Sequence, residues 1–348
     1  MTSATAPVRT DLSRTPRGGL APARVRRLVF TGVVVALLVA EAVLAGPEIR
    51  GVLRSLWRIE VGWLGVAVVS SAVSMSMFAG IRRRLLRAAG FRVRGAVAAV
   101  YVANSLHATL PGGVAFSTGY TYRWLRAQGV GGPVAAWCLA ASGLVSTAAL
   151  LAFGAVGSLL AGGQAGWVQL ALAVTGIVLI TVVFRHLARQ PRVVVTIVRW
   201  VLMRVNRVRR RPATTGVDGL TELLVQLNSV RPGGRDWLVA TGCALLNWAF
   251  DAACLAACAA ALDLRGLTLP LLLIAYTAGM ATAGLSPLPG GLGLVDATLV
   301  VALVAGGVPA AAALPVVILY RLISLVCVVG VGWIVCAVQQ LRHTAVRA

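Results

Sequence analysis

The sequence predicts an all-α, polytopic helical membrane protein, and three observations predict it. Of its 348 residues 59% are hydrophobic and only 12% are charged. Apolar stretches of about 20 residues, the length a helix needs to cross a bilayer, recur along the chain. Finally, the tetrapeptide Leu-Pro-Gly-Gly interrupts two further apolar runs, at Leu110-Pro111-Gly112-Gly113 and at Leu288-Pro289-Gly290-Gly291. A mean hydropathy of +0.87 excludes an ordinary soluble domain.

Taken in order, residues 1–23 are rich in Pro, Thr, Ser, Gly and Arg and read as a disordered basic cytoplasmic tail. The first membrane half, 24–184, holds spans over 28–45, 61–81, 133–160 and 166–184, with a broken hairpin at 95–126. The first apolar run ends in Val43-Leu44-Ala45 and has a signal-like cleavage pattern. Its length and long basic flank favour a retained anchor. Residues 185–235 form a basic cytoplasmic or interfacial linker in which Arg192, Arg199, Arg207 and Arg210 share one helical face. That pattern fits a helix lying on the inner leaflet, or a simple basic connector. The second half, 236–342, carries spans over 237–262 and 310–338 and a broken hairpin at 268–308, before a tail at 343–348. The expected architecture is therefore about six full spans plus two Pro-Gly-Gly-broken re-entrant hairpins. Charge alone does not separate such a hairpin from two crossings, since both return the chain to its starting side.

All 32 basic residues are arginine and the net charge is +22. They cluster before the first span, after the second (Arg82, Arg83, Arg84, Arg87, Arg92, Arg94) and between Arg185 and Arg235. The positive-inside rule then puts both termini and the central linker in the cytoplasm. Most of the charge is topology, with attraction to anionic lipid as a by-product, and no nucleic-acid partner is expected. The six cysteines lie within apolar runs and the three histidines are scattered, so neither a disulfide framework nor a metal site is expected. No nucleotide fingerprint or nucleophile–base constellation is visible. The chain reads as a non-enzyme without a cofactor.

The halves resemble each other beyond the tetrapeptide. A shift of 178 residues superposes the two Leu-Pro-Gly-Gly motifs, Leu125 on Leu303, Ala127 on Ala305, Gly129-Val130 on Gly307-Val308 and Ser146 on Ser324. Under the charge rule one break is entered from the cytoplasm and the other from outside, which makes the repeats inverted. Inverted repeats with broken helices point to transporters, in which freed backbone groups face the substrate; ordinary Pro-kinked hairpins in a scaffold are the alternative.

Ionisable residues at membrane depth are functional candidates because their burial is costly unless they are paired or hydrated. Asp251, Asp296 and Arg321 qualify. Asp296 is expected about two helical turns beyond the second break. An ion pair of Arg321 with Asp296 or Asp251 is the natural compensation, either as a switch for an anionic substrate competing for the guanidinium or as a structural lock. Tyr320, beside Arg321, and Tyr276 and Asn247 on neighbouring spans add donors. With Pro289, Gly290 and Gly291 these face a first-half set of Asn104, His107, Pro111, Gly112, Gly113, Tyr120 and Arg123. Neutral donors followed by arginines suit a phosphate-bearing head group.

The stretch Asn104 to Arg126, with Tyr120-Thr-Tyr-Arg-Trp-Leu-Arg126, taken with Pro287-Leu-Pro-Gly-Gly-Leu-Gly-Leu-Val-Asp296 and Leu319-Tyr-Arg-Leu322, resembles the transmembrane region of the lysylphosphatidylglycerol synthase and flippase family over about residues 24–342. The resemblance implies a bacterial cytoplasmic-membrane protein that translocates or handles a lipid. It places Pro289, Gly290, Gly291, Asp296 and Arg321 in the site, with Pro111, Gly112, Gly113 and Arg123 opposite. Two departures stand out: family members usually carry Glu where Asp296 stands, and often an acid where this chain has Ser117 and Thr118. The soluble aminoacyl-transferring domain is absent from this sequence, so synthesis is not implied. The expected function is movement of an anionic or aminoacylated phospholipid, with membrane lipids, and in some settings a homo-oligomer or a lipid-modifying enzyme, as partners. A non-transporting scaffold or accessory subunit is the alternative, and an intramembrane transferase on polyprenyl-phosphate substrates a weaker one.

The charge pattern makes a direct topological prediction. Reporters fused at the amino terminus, in the 185–235 linker and at the carboxyl terminus should all register as cytoplasmic, and a periplasmic signal from any of the three would refute the assignment.

Overall fold

Proline and glycine punctuate the apolar runs, and the helices Gly113–Ala127, Gly132–Ala161, Gly234–Ala261, Leu269–Ala283, Leu294–Ala305 and Ala310–Arg321 each start or end beside one or both of them. The computed structural model describes residues 60–86, 92–110, 112–162, 167–168, 170–171, 173–179, 182, 232–284, 286 and 289–345, all within the unit Arg50–Ala348. The expected tail, the span at 28–45, most of the basic linker, and Pro111 and Leu288 within the motifs lie outside the described residues.

Every regular element among the described residues is helical. We number them α1 (Val61–Leu85), α2 (Val93–Thr109), α3 (Gly113–Ala127), α4 (Gly132–Ala161), α5 (Gly234–Ala261), α6 (Leu269–Ala283), α7 (Leu294–Ala305), α8 (Ala310–Arg321) and α9 (Val328–Ala345). A short 3-10 turn, Pro289–Gly291, precedes α7, and a π-helical segment, Leu322–Cys327, joins α8 to α9. The starts have local causes: proline stands in the first turn of α4 and α6, where its missing N–H removes nothing, and the Thr268 hydroxyl accepts from the Leu271 N–H.

Four stretches are long and apolar enough to cross a membrane, Val61–Leu85, Gly132–Ala161, Gly234–Ala261 and Ala310–Gln339. They coincide with the expected spans at 61–81, 133–160, 237–262 and 310–338. The expected span at 166–184 is helical at the residues described there. Side chains sort in the membrane sense. Val61, Val66, Val68 and Val69 of α1 are exposed while Ala67, Ser70, Ser71 and Ser74 are buried, and α5 buries Ala240, Ala244, Cys254, Ala257 and Cys258. Small residues inside let helices approach closely where apolar burial alone gives no preference between protein and lipid.

The 178-residue repeat extends to backbone geometry. It carries Gly132–Ala161 onto Ala310–Gln339, end to end, and the end of α3 at Ala127 onto the end of α7 at Ala305. Both of those ends close identically. Gly129 and Gly307 take positive φ (84° and 94°), and the N–H groups of Val130 and Val308 reach back to the carbonyls of Leu125 and Leu303, the glycine-terminated helix closure. Gly112 (φ 68°) and Gly290 (φ 65°) match as well.

The two halves interlock. The start of α1 clusters with the end of α5, and the end of α1, through Ile81 and Leu85, with Ala240 and Ala244 near the start of α5; these counterpart helices run antiparallel. The hairpin helix α2 packs on α9, and its counterpart α6 packs on α4. Each crossing closes on a glycine. A Cβ on Gly332 of α9 would lie 2.0 Å from the Ser105 hydroxyl and 2.4 Å from the Tyr101 carbonyl, and one on Gly154 of α4 would lie 2.6 Å from a Thr277 methyl. Gly154 and Gly332 are themselves repeat counterparts. At the first crossing the Ser105 hydroxyl also donates to the Val329 carbonyl of α9 at 3.0 Å.

Gly332→Ala should therefore destabilise the protein by about 1–3 kcal/mol, the usual range for overpacking, because backbone cannot step aside. Gly154→Ala should cost less, since a side-chain methyl can yield. Gly143→Ala, with open space around the added methyl, should be near neutral. Thermal unfolding of the three variants in detergent checks the order.

Candidate functional site at the paired breaks

The second break is made by three left-handed glycines, Gly290 (φ 65°), Gly291 (φ 72°) and Gly293 (φ 78°), a conformation that other residues adopt only with strain. It leaves backbone groups outside any helical ladder. Two side chains take them up. Arg321, the last residue of α8, donates from Nη2 to the Gly290 carbonyl at 2.9 Å, and Asp296 accepts the Gly293 N–H through Oδ2 at 3.0 Å.

These two side chains also pair with each other. Arg321 Nε lies 2.5 Å from Asp296 Oδ1; the contact lacks hydrogen-bond alignment, so its attraction is Coulombic. Asp296 stands in the first turn of α7. That corrects the expected position two turns down: the chain spends residues 289–293 in the 3-10 turn and the following turn before α7 begins. There the carboxylate also meets the positive end of the helix dipole. The two contacting atoms are sealed from solvent, while the side chains keep 15% (Arg321) and 28% (Asp296) of their surface exposed, so the pair is open only at its edges.

Asp251 takes different partners. Its Oδ2 accepts from the Tyr276 hydroxyl at 2.6 Å and the Tyr320 hydroxyl at 3.0 Å, which ties α5 to α6 and α8. Both tyrosines are fully buried, and the Tyr276 ring meets Phe153 and Trp248 edge-on. Of the two expected ion pairs, Arg321 forms the one with Asp296. Asn247, one turn before Asp251, is buried.

In the first half, α2 ends at Thr109 and α3 starts at Gly113. The reversal is tight: a Cβ on Gly113 would fall 2.0 Å from the His107 carbonyl. Asn104 donates to the Val100 carbonyl at 3.2 Å and to the Met75 sulfur at 3.4 Å, joining α2 to α1. Gly112 is exposed and Tyr120 half-buried. Arg123 is exposed and lies ten residues, about 15 Å of helix, beyond Gly113. The breaks themselves touch. A Cβ on Gly290 would sit 3.4 Å from the Ala108 carbonyl and 3.2 Å from Leu325 of the π-segment. The structure thus brings Gly290, Asp296 and Arg321 together against the end of α2, holds Asp251 and Tyr320 in an adjoining network, and stands Arg123 apart. Ala108, Gly293 and Leu325 are part of this site without any sequence signal beyond their nearness to the motifs.

A double-mutant cycle on Asp296→Asn and Arg321→Gln should give a coupling of about 1–2 kcal/mol in thermal unfolding, within the range for contacting groups. Arg321→Gln alone should be the more damaging single change, because it also strips the Gly290 carbonyl of its donor.

No curated protein matches this chain. The family model described as "Lysylphosphatidylglycerol synthase TM region" matches residues 27–332. With its helical architecture and paired Pro-Gly-Gly breaks, the chain belongs to the lysylphosphatidylglycerol synthase TM region family.

Proposed function

We propose that this protein is a flippase-like lipid translocase, moving an anionic or aminoacylated phospholipid across the bacterial cytoplasmic membrane. The observation that carries the reading is the contact of the two breaks around a partly exposed ion pair. Arg321 holds a freed backbone carbonyl and a carboxylate at once, and a lipid phosphate offers the same oxygens in the fork geometry a guanidinium prefers. A head group entering here displaces one or both partners and loosens the second break. Acyl chains stay in the bilayer, beside the valine- and leucine-rich outer face.

Helix lengths support re-entrant hairpins. α2, α3, α6 and α7 have 17, 15, 15 and 12 residues, about 18–25 Å each, against a hydrocarbon core of about 30 Å. The antiparallel counterparts α1 and α5 support inverted repeats, the arrangement in which a central site opens alternately to either side. The arginine distribution supports cytoplasmic termini, and in this reading the protein carries the lipid without performing chemistry on it.

Reconstitution into liposomes with fluorescent phosphatidylglycerol in one leaflet tests this reading. Exchange should appear with the wild-type chain and fall at least about ten-fold in Arg321→Ala, as for a lost charge-assisted contact. Exchange unchanged in Arg321→Ala would remove the site. No exchange of any lipid, aminoacylated lipids included, would favour a scaffold, the reading in which the Asp296–Arg321 pair only locks helix register.

A further inference from the structure

Arg82, away from the paired breaks, is a half-buried arginine that no ion pair among the described residues balances. It stands in the last turn of α1, with its guanidinium carbon 4.7 Å from the centre of the Phe78 ring. Its Nε is sealed from solvent and bonds no acceptor. The ion pairs found among the described residues are Arg321–Asp296 and Arg265–Asp263; neither involves it.

The surroundings sharpen the imbalance. Arg83 and Arg84 flank it in the same turn, Arg92 and Arg94 open α2, which packs on α1, and Arg126 ends α3. Arg126 is already spent on the Val130 carbonyl at 2.9 Å. Phe78, whose ring faces the guanidinium, and Trp124 of α3 pack against the same small cluster of Ala79, Ala96 and Val100, the Arg82 carbonyl accepts from the Cys138 thiol of α4 at 3.9 Å, and Trp137 of α4 meets Trp237 of α5 edge-on. Tryptophans and arginines together mark the level of lipid head groups. A half-buried guanidinium without a counter-charge destabilises the fold unless an anion meets the N–H groups that remain accessible, which for Arg82 are those of Nη1 and Nη2 rather than the sealed Nε, and an aromatic face against it holds the planar fork in place.

We propose that Arg82 is the anchor of a binding site for the phosphate of an anionic phospholipid, seated between the ends of α1, α2 and α3 at the arginine-rich end of the bundle and separate from the paired breaks. The phosphate accepts from Arg82, the neighbouring arginines supply long-range attraction, and the acyl chains run down the apolar flank.

The test is lipid binding by the purified full-length chain in neutral detergent, read by native mass spectrometry during titration with phosphatidylglycerol or phosphatidylcholine. The wild-type chain should retain phosphatidylglycerol in preference. Arg82→Gln should weaken that retention about ten-fold, the equivalent of one charge-assisted hydrogen bond, and Arg82→Lys should restore only part of it. Arg83→Gln, which removes an exposed neighbour, should change it less than two-fold. Inorganic phosphate in excess should compete weakly if the lipid is the ligand; full displacement by phosphate at millimolar concentration would assign the site to a free anion instead and overturn the lipid proposal. No preference for phosphatidylglycerol in the wild-type chain, or equal losses in Arg82→Gln and Arg83→Gln, would also overturn it. Arg321→Ala, which removes the site at the paired breaks, should keep the preference for phosphatidylglycerol, and loss of the preference in that variant would assign the bound lipid to the breaks and overturn the proposal; this arm decides the matter even where Arg82→Gln does not fold.

Discussion

A carbonyl outside a helix and surrounded by apolar side chains must find a donor, and the structure at the second break is organised around that demand. Gly290 supplies the exposed carbonyl and Arg321 the donor. Because a guanidinium in such a place needs a counter-charge, Asp296 follows, and because Asp296 caps α7 through the Gly293 N–H, the helix that leaves the break starts where the carboxylate stands. Three elements, the break, α7 and α8, are fastened by one side chain. The π-helical segment begins directly after it. Such segments widen a helix locally and gather at functional positions.

Duplication explains the frame, and divergence explains the chemistry. The halves share glycine closures, break geometry and the glycines that bring α2 against α9 and α6 against α4. They do not share charge: the counterpart of Arg321 is Gly143 and that of Asp296 is Thr118. The first break is held by close backbone packing at Gly113 and by hydroxyls bonded to their own helices, such as Thr109 to the Ser105 carbonyl. Two similar frames therefore meet as a neutral face and a charged one.

Asp251 shows how much a membrane interior can do with neutral donors. A carboxyl group at that depth is satisfied by two phenols rather than by the arginine, which leaves Arg321 committed to the break. The Tyr276 ring in turn sits among aromatic rings at the junction of α4, α5 and α6, so this network is as much a packing device as a polar one.

The sequence by itself determined the helical class, four of the spans, the two breaks and the register of the repeat, because each depends on local chemistry: apolar length against bilayer thickness, proline and glycine against the helical ladder, and identical residues in identical turns. It also singled out Asp296 and Arg321, since charges in apolar runs are conspicuous. Only the tertiary structure decided which carboxylate Arg321 meets, that Asp296 caps α7 rather than lying deeper in it, that the two breaks touch through Ala108 and Gly290, and that Arg123 stands away from them. Those outcomes depend on which helix faces cross and at what height. Such placement is set by close approaches, at Gly154 and Gly332 above all, between residues far apart in the chain, and in so glycine- and alanine-rich a sequence no local pattern distinguishes the glycine at a crossing from its neighbours.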